Sequence, residues 1–580
     1  MILKALYDYY YRSDDLPSPG MEEKEIAFIL VLTKEGEFVR FEDGRIDKNH
    51  AKSYLVKKHV NRTSGVCANY LYDNAAYVLG YVDVDKIKKE EEKEKEEKKT
   101  INCLEDFKKK VNEIAAVFPD REDVKAIQLF YAHGREQVLE WISADPLWED
   151  IRKNLSKKYS NFSFKMQGDL KIVAEKREIL QLQDKEGDEG GNQHLCLISG
   201  EKGELVDTTT ATMIQGSQAS AKLVAFQVNS GYDSYGKTKC ANAPISKESE
   251  FAYTTALNTL LKSGSHNKFN LGNRTFVFWA SALNEASAQM EESLFDLLGF
   301  SEEKKDDPNA NVLKVKKVFE SIYSGKISTS LEDKFYILGL APNVARIATV
   351  YWSETTLKEF AAKILEHFKD TEIVDVRNES KPYQGIRDMI SCVTLGGKTS
   401  NATPNLAENV VQSVFQGLPY SFSLYASCIR RIHAEQGVTI TRASLIKAYL
   451  NRLNNNNSKK ISIMLDKENT NQGYLCGRLF AALEKIQQEA NGQSTIRERY
   501  LNAASTTPSA VFATVLNLSN HHGEKLSEGR RIFFEKLKQE IIGNLSADGF
   551  PAHLDLQDQG RFFVGYYHQR QDFFTSKTEE

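Results

Sequence analysis

The residues best suited to chemistry lie in segment 48–72, KNHAKSYLVKKHVNRTSGVCANYLY. It carries five basic residues, Lys48, Lys52, Lys57, Lys58 and Arg62, and no aspartate or glutamate. The chemistry on offer is contact with phosphates and bases. Cations hold phosphates, hydroxyls such as Thr63 and Ser64 add hydrogen bonds, and the glycine at 65 lets backbone N–H groups come close. Asn69 and Tyr70 add an amide and an aromatic face. A solvated, mildly basic loop would have the same composition. A second candidate spans 213–244, with Gln215, Ser217, Gln218, Asn229, Ser234 and Lys237. Amides and hydroxyls present donors and acceptors to base edges, although ordinary turns use the same residues. A third is 421–453, where Arg430, Arg431, Arg442, Lys447 and Arg452 stand against a single acid, Glu435. On predicted helices these residues make a basic face able to track a single strand, or simply a solvated one. Arg531 and Lys538, seven positions apart, share a face of a later predicted helix.

Signatures of catalysis are missing from the sequence. It contains no HExxH, no GxxxxGK[ST] and no GxSxG. His521 and His522 have no companion at metal-ligand spacing and read as a helix-end or loop pair. The seven cysteines form no CxxC pair and are odd in number, which argues against a disulfide framework or a zinc knuckle. The expectation is a protein without catalytic residues, metal or cofactor.

The elements that must position these residues are of mixed type. Segment 1–12 predicts a short amphipathic helix, ended by the Pro17-Ser18-Pro19-Gly20 break. Apolar runs at 26–32 and 38–41, joined by a turn at 34–37, predict a β-hairpin. The run 86–99, KIKKEEEKEKEEKK, balances its charges at three- and four-residue spacing and predicts a solvated helix. Strands are expected at 195–198, 223–228 and 275–280, with a helix over 249–261. Beyond about 290 helices dominate, with apolar runs at 335–340 and 345–351 able to include strands. After the polar stretch 454–460, Leu475, Leu479, Leu483 and Ile486 share one helical face, and Thr507-Pro508 opens another helix. The expected class is α+β: mixed N-terminal α/β domains followed by a C-terminal helical bundle. The expected boundaries are 1–185, 192–330, 331–453 and 464–580.

Composition fits that class, with 41% apolar and 27% charged residues. No run of about 18 apolar residues is present, so no membrane span is expected. The first 20 residues lack the apolar core of a signal peptide, which predicts a cytoplasmic protein. The net charge of −4 differs from the basic balance of a free, non-specific DNA binder. Any nucleic-acid role must come from local patches or from partners.

Several long segments resemble the large subunit of the type I-C CRISPR Cascade complex. They are MILKALYDYY (1–10), NRTSGVCANYLYDNAAYVLGY (61–81), IQGSQASAKLVAFQVNSGYDSYGKTKCANAPISKESEFAYTTALNTLL (214–261), GNRTFVFWA (272–280), FYILGLAPNVARIATVYW (335–352) and YLCGRLFAALEKIQQEA (474–490). The resemblance implies a non-enzymatic subunit with four tasks. It recognises the protospacer-adjacent motif in duplex DNA, parts the strands beside it, helps hold the displaced strand and recruits a separate helicase-nuclease. Guide pairing would read the rest of the target. The implied partners are the crRNA-bound backbone subunits, the crRNA-end-binding subunit, double-stranded target DNA, the helicase-nuclease and a small subunit made from the same gene. Motif reading is expected on Lys57, Lys58, Arg62, Thr63, Ser64, Asn69 and Tyr70, and on Gln215, Ser217, Gln218, Asn229, Ser234 and Lys237. Displaced-strand contacts are expected on Arg430, Arg431, Arg442, Arg531 and Lys538. Met464 is expected to be the internal start of the small subunit. The alternatives are a stand-alone nuclease and a purely structural scaffold.

Overall fold

The computed structural model describes residues 1–13, 16–60, 62, 65–84, 87, 89–157, 159–182, 193–226, 233, 235–262, 264–297, 310–376, 383–453 and 460–575. The chain divides into two units, one of Ser13–Val206 with Pro244–Thr255, the other of Met1–Arg12, Asp207–Ala243 and Ala256–Glu580. The class is α+β, as expected.

The first unit is organised by β2 (Phe28–Leu32), whose five residues FILVL are all buried. An uninterrupted apolar run suits a strand covered on both faces. Before it lies β1 (Met21–Glu25); after it come β3 (Phe38–Asp43), β4 (Ser53–Lys57), β5 (Tyr72–Asn74) and β6 (Asn161–Met166). The main sheet has the order β3-β2-β6-β5, with β2 and β6 parallel. The β2–β3 hairpin forms as its spacing predicts. Its turn needs glycine at Gly36, where φ is +83° and a Cβ would sit 2.6 Å from the backbone nitrogen of Phe130.

β1 pairs with β4 as a separate ribbon, Met21 opposite Lys57. The charge run enters the helix Glu90–Val117, laced by pairs such as Lys93–Glu90 at 2.9 Å. The rest of that helix buries Cys103, Leu104, Phe107, Val111 and Ile114 in the unit's core. Trp148 is buried there, stacked on Phe41, while Trp141 is half-buried. Only a short piece of the strand expected at 195–198 forms, in the ribbon β7 (Gln193–Leu195) and β8 (Lys202–Glu204).

In the second unit, β9 (Lys268–Leu271), β10 (Arg274–Ala280), β11 (Lys334–Asn343) and β12 (Arg346–Thr356) form an antiparallel sheet in the order β12-β11-β10-β9. The helix Ile2–Arg12 belongs to this unit, with the Tyr9 ring edge-on to Trp279. The strand expected over 223–228 does not form in its described part, 223–226. Lys222 makes one bridge to Arg346, and residues 222–224 stay half-buried, so no ladder extends along β12. Positions 227 and 228 lie outside the described residues.

Helices fill the remainder. Leu357–Thr371 starts with a complete capping box between Thr356 and Glu359. Pro404–Phe415, Phe422–Glu435, Ile440–Arg452, Gln472–Asn491, Ile496–Thr506, Pro508–Gly523, Glu528–Gly543 and Leu556–Asp572 follow. Leu475, Leu479, Leu483 and Ile486 are all buried, as their spacing predicts. One continuous apolar core joins the β9–β12 sheet to these helices. The Tyr425 hydroxyl donates to the Leu556 carbonyl at 2.6 Å, tying helices across residue 464. Among the described residues, no helix is long and apolar enough to cross a membrane.

Candidate nucleic-acid interface

Segment 48–72 takes its shape from β4 and from Asp73, just past its end. Lys57 is buried, its Nζ 4.3 Å from the centre of the Tyr70 ring, and Lys110 approaches the same ring at 5.0 Å. Lys58 is half-buried with its Nζ 5.3 Å from the Phe251 ring. Lys48 and Lys52 are exposed. Arg62 is held on three sides. It pairs with Asp73, donates from Nε to the Cys67 carbonyl at 2.6 Å, and lies over the Tyr77 ring at 4.1 Å. Burial alone would lower its pKa, but Asp73 more than compensates and the guanidinium stays firmly charged. Asn69 is buried and accepts from the Val60 N–H at 3.0 Å, while its own N–H donates to Asp73 at 3.0 Å. Thr63 and Ser64 lie outside the described residues.

These contacts frame a polar cavity of about 270 Å³. Arg62, Asn69 and Asp73 line it together with Lys24 and His59 from the ribbon side and Asn74 and Asn161 from β5 and β6. His59 Nδ1 is 2.8 Å from Glu22, which also accepts from the Tyr72 hydroxyl at 3.0 Å. Burial would raise the Glu22 pKa, but His59, Lys24 and Tyr72 together bring it below the usual glutamate value. The cavity therefore has amides, an ammonium, a fixed imidazole and a guanidinium paired with the Asp73 carboxylate on its walls. That set matches the edges of base pairs and their phosphates. Lys24, Asn74 and Asn161 were not legible as a group, because three separate strands bring them together. The β-pairing of 21–25 with 53–57 is the signal that would have found Lys24.

The second candidate lies in the other unit. Gln215 and Gln218 are exposed, and Ser217 is tied back to Ile214, donating from Oγ to its carbonyl at 2.9 Å. Lys237 is exposed, and its carbonyl accepts from Asn242 at 2.9 Å. Asn229 and Ser234 lie outside the described residues.

The third candidate corrects the expectation of an exposed basic face. Arg442 is buried and donates to the carbonyls of Cys392 at 3.0 Å and Gly437 at 2.9 Å, besides pairing with Glu435. Lys447 is buried and donates to the Asp370 carbonyl at 2.8 Å; burial lowers its pKa. Arg452 reaches the carbonyls of Ser413 at 2.6 Å and Leu418 at 2.7 Å. Lys447 and Arg452 thus satisfy orphan carbonyls where neighbouring helices end. Arg431 pairs with Glu435, and Arg430 is exposed. In the tail, Arg531 is exposed, but Lys538 is buried beside Glu535 at 2.8 Å, so the two do not share an open face.

His521 and His522 close the helix Pro508–Gly523. Among the described residues, no three His, Cys, Asp or Glu side chains gather as metal ligands.

The sequence matches the family described as CRISPR-associated protein (Cas_Csd1) over residues 6–574. The chain belongs to that family. It is the family of the type I-C large subunit, which makes the protein a CRISPR-associated Cascade subunit. No curated protein matches the chain.

Proposed function

We propose that this subunit recognises the protospacer-adjacent motif in duplex DNA, promotes strand separation and R-loop formation beside it, helps hold the displaced strand, and brings in the helicase-nuclease without performing chemistry itself. The observation that carries motif reading is the polar cavity, where Arg62, Asn69, Asn74 and Lys24 converge at the end of an acid-free segment. Base pairing to the guide would leave only the short motif to be read by protein. The test uses the assembled complex with duplexes carrying the correct or a scrambled motif. Asn69→Ala should reduce the preference for the correct motif about tenfold, since a good bidentate contact discriminates by roughly 1–3 kcal/mol. Lys24→Ala should weaken both duplexes alike and lower the salt slope by about 1. Equal binding of the two duplexes by the unaltered complex would favour a scaffold instead. Metal-dependent DNA cleavage by the purified subunit, abolished by a point substitution, would make it a nuclease.

The same reading makes Met464 an internal translation start for a small subunit covering 464–580. Met464 is exposed, just before the helix Gln472–Asn491. Expression of the whole gene should yield a short co-purifying product whose N-terminal sequence begins at Met464. Persistence of that product after Met464→Leu would rule the assignment out.

A further inference from the structure

A second cavity in the Ser13–Val206 unit shares a wall with the polar one. Its volume is about 390 Å³, within the span of roughly 300–1,000 Å³ common for small-ligand sites. Arg62 and Asn74 line both cavities. On the far side of that wall the chemistry changes. Tyr77, Tyr81 and Val66 line the second cavity, and Thr100 reaches it from the helix Glu90–Val117. Lys99 also lines it and pairs with Glu96 at 3.2 Å.

We propose that this cavity takes one unpaired nucleobase from the edge of the opened duplex. The proposal rests on the motif-reading function above and names where the first freed base goes. Three features point to a base. The walls offer flat groups in fixed orientations: the guanidinium of Arg62 over Tyr77, and Tyr81 set edge-on to Trp148 at 4.9 Å. Unpaired bases stack on aromatic rings and on guanidinium planes. Polar groups lie beside the flat ones. The Asn74 side-chain oxygen accepts from the Ala76 N–H at 3.0 Å, so what Asn74 offers a base is its amide NH2 donor. Lys99 and Glu96 line the same wall as an exposed ion pair, and the Lys99 ammonium is the group that would meet the attached phosphate. Finally, the shared wall sets a base reader next to a base acceptor. Taking a base out of a duplex costs unstacking and unpairing, and a pocket that receives the base compensates for that cost.

The experiment uses the assembled complex and a partly opened target. The first unpaired position beside the motif carries either a normal base or an abasic site. The unaltered complex should bind the normal base roughly tenfold more tightly than the abasic site, the size expected for one stacked base. Val66→Trp and Thr100→Met, which fill the cavity from two sides, should each remove most of that difference. Both should keep the preference for correct over scrambled motif, which also reports that the variant subunit is folded and assembled. No difference between base and abasic site in the unaltered complex would overturn the proposal. So would a full difference in both filled variants that retain motif preference. Loss of motif preference in the unaltered complex, with the abasic difference intact, would sink the motif reading and leave the base pocket standing.

Discussion

Replacing Gly477 by alanine should cost the protein about 3 kcal/mol or more, the upper part of the range for overpacking a well-packed site. A Cβ on Gly477 would lie 1.9 Å from the Phe562 carbonyl oxygen and 2.9 Å from the Tyr566 nitrogen. Both are backbone atoms of the helix Leu556–Asp572, so no side chain can swing aside. Gly473 and Gly565 make the same approach from either helix, at 2.4 Å to the Asp558 oxygen and 2.3 Å to the Tyr474 oxygen. The two helices therefore cross backbone to backbone, as small-residue spacing allows. Intrinsic helix propensity pulls the other way, because alanine is favoured over glycine by about 1 kcal/mol. The clash must win, since relieving it moves two helices apart and loosens Leu479, Phe480, Phe562 and Tyr566 together, all buried. Gly529, exposed in the helix Glu528–Gly543 with open space around it, is the control. Gly529→Ala should be neutral or stabilise by up to about 1 kcal/mol. Denaturant unfolding of the two variants separates clash from propensity. Comparable stability of Gly477→Ala and the parent would mean that the helices do not cross this closely.

The glycine crossing also shows which parts of the molecule were readable in advance. Gly473 and Gly477 are visible as a four-residue spacing, but only the partner helix, some 85 positions later, turns that spacing into a contact. The 26–41 hairpin was legible because its signal is local: two apolar runs and a turn. The parallel pairing of β2 with β6 was not, because about 130 residues separate the partners. The basic run 430–452 misled for a different reason. Charge counts do not distinguish a cation facing water from one capping buried carbonyls, and Arg442, Lys447 and Arg452 do the latter. The candidate site divides in the same way. Arg62 and Asn69 stood out through local composition, whereas Lys24, Asn74 and Asn161 join them only through strand pairing.

Acid should weaken the helical unit well before its carboxylates titrate, because two buried imidazoles are kept neutral. His367 is fully buried, with Nδ1 2.8 Å from the Tyr420 hydroxyl and Nε2 2.7 Å from the Gln384 carbonyl. A neutral ring satisfies both contacts, donating from Nε2 and accepting at Nδ1. Burial drives its pKa down to about 4, against the raising effect of the Gln384 carbonyl. His568 is also fully buried, with Nδ1 3.0 Å from the Tyr474 hydroxyl. Burial, followed by the charge on Lys447, brings it down to about 3. In the unfolded chain both rings titrate near 6.5. Above that pH neither state binds a proton, and these two groups give no pH dependence. Below it the unfolded state takes up protons that the folded state refuses, so stability falls as pH falls. The slope is about 1.4 kcal/mol per pH unit for each ring. Between pH 6.5 and 5 the pair should remove about 3 kcal/mol, because at pH 6.5 each unfolded ring is only half protonated and the slope half developed, and the loss should continue until the folded rings protonate near 4 and 3. His367→Gln and His568→Gln should each unfold more easily at pH 7, since each disturbs a buried hydrogen bond, yet show a shallower decline toward pH 5. The double variant should lose most of the slope. Equal slopes in the parent and the double variant, followed by denaturant unfolding at pH 7, 6 and 5, would show that other groups set the acid sensitivity.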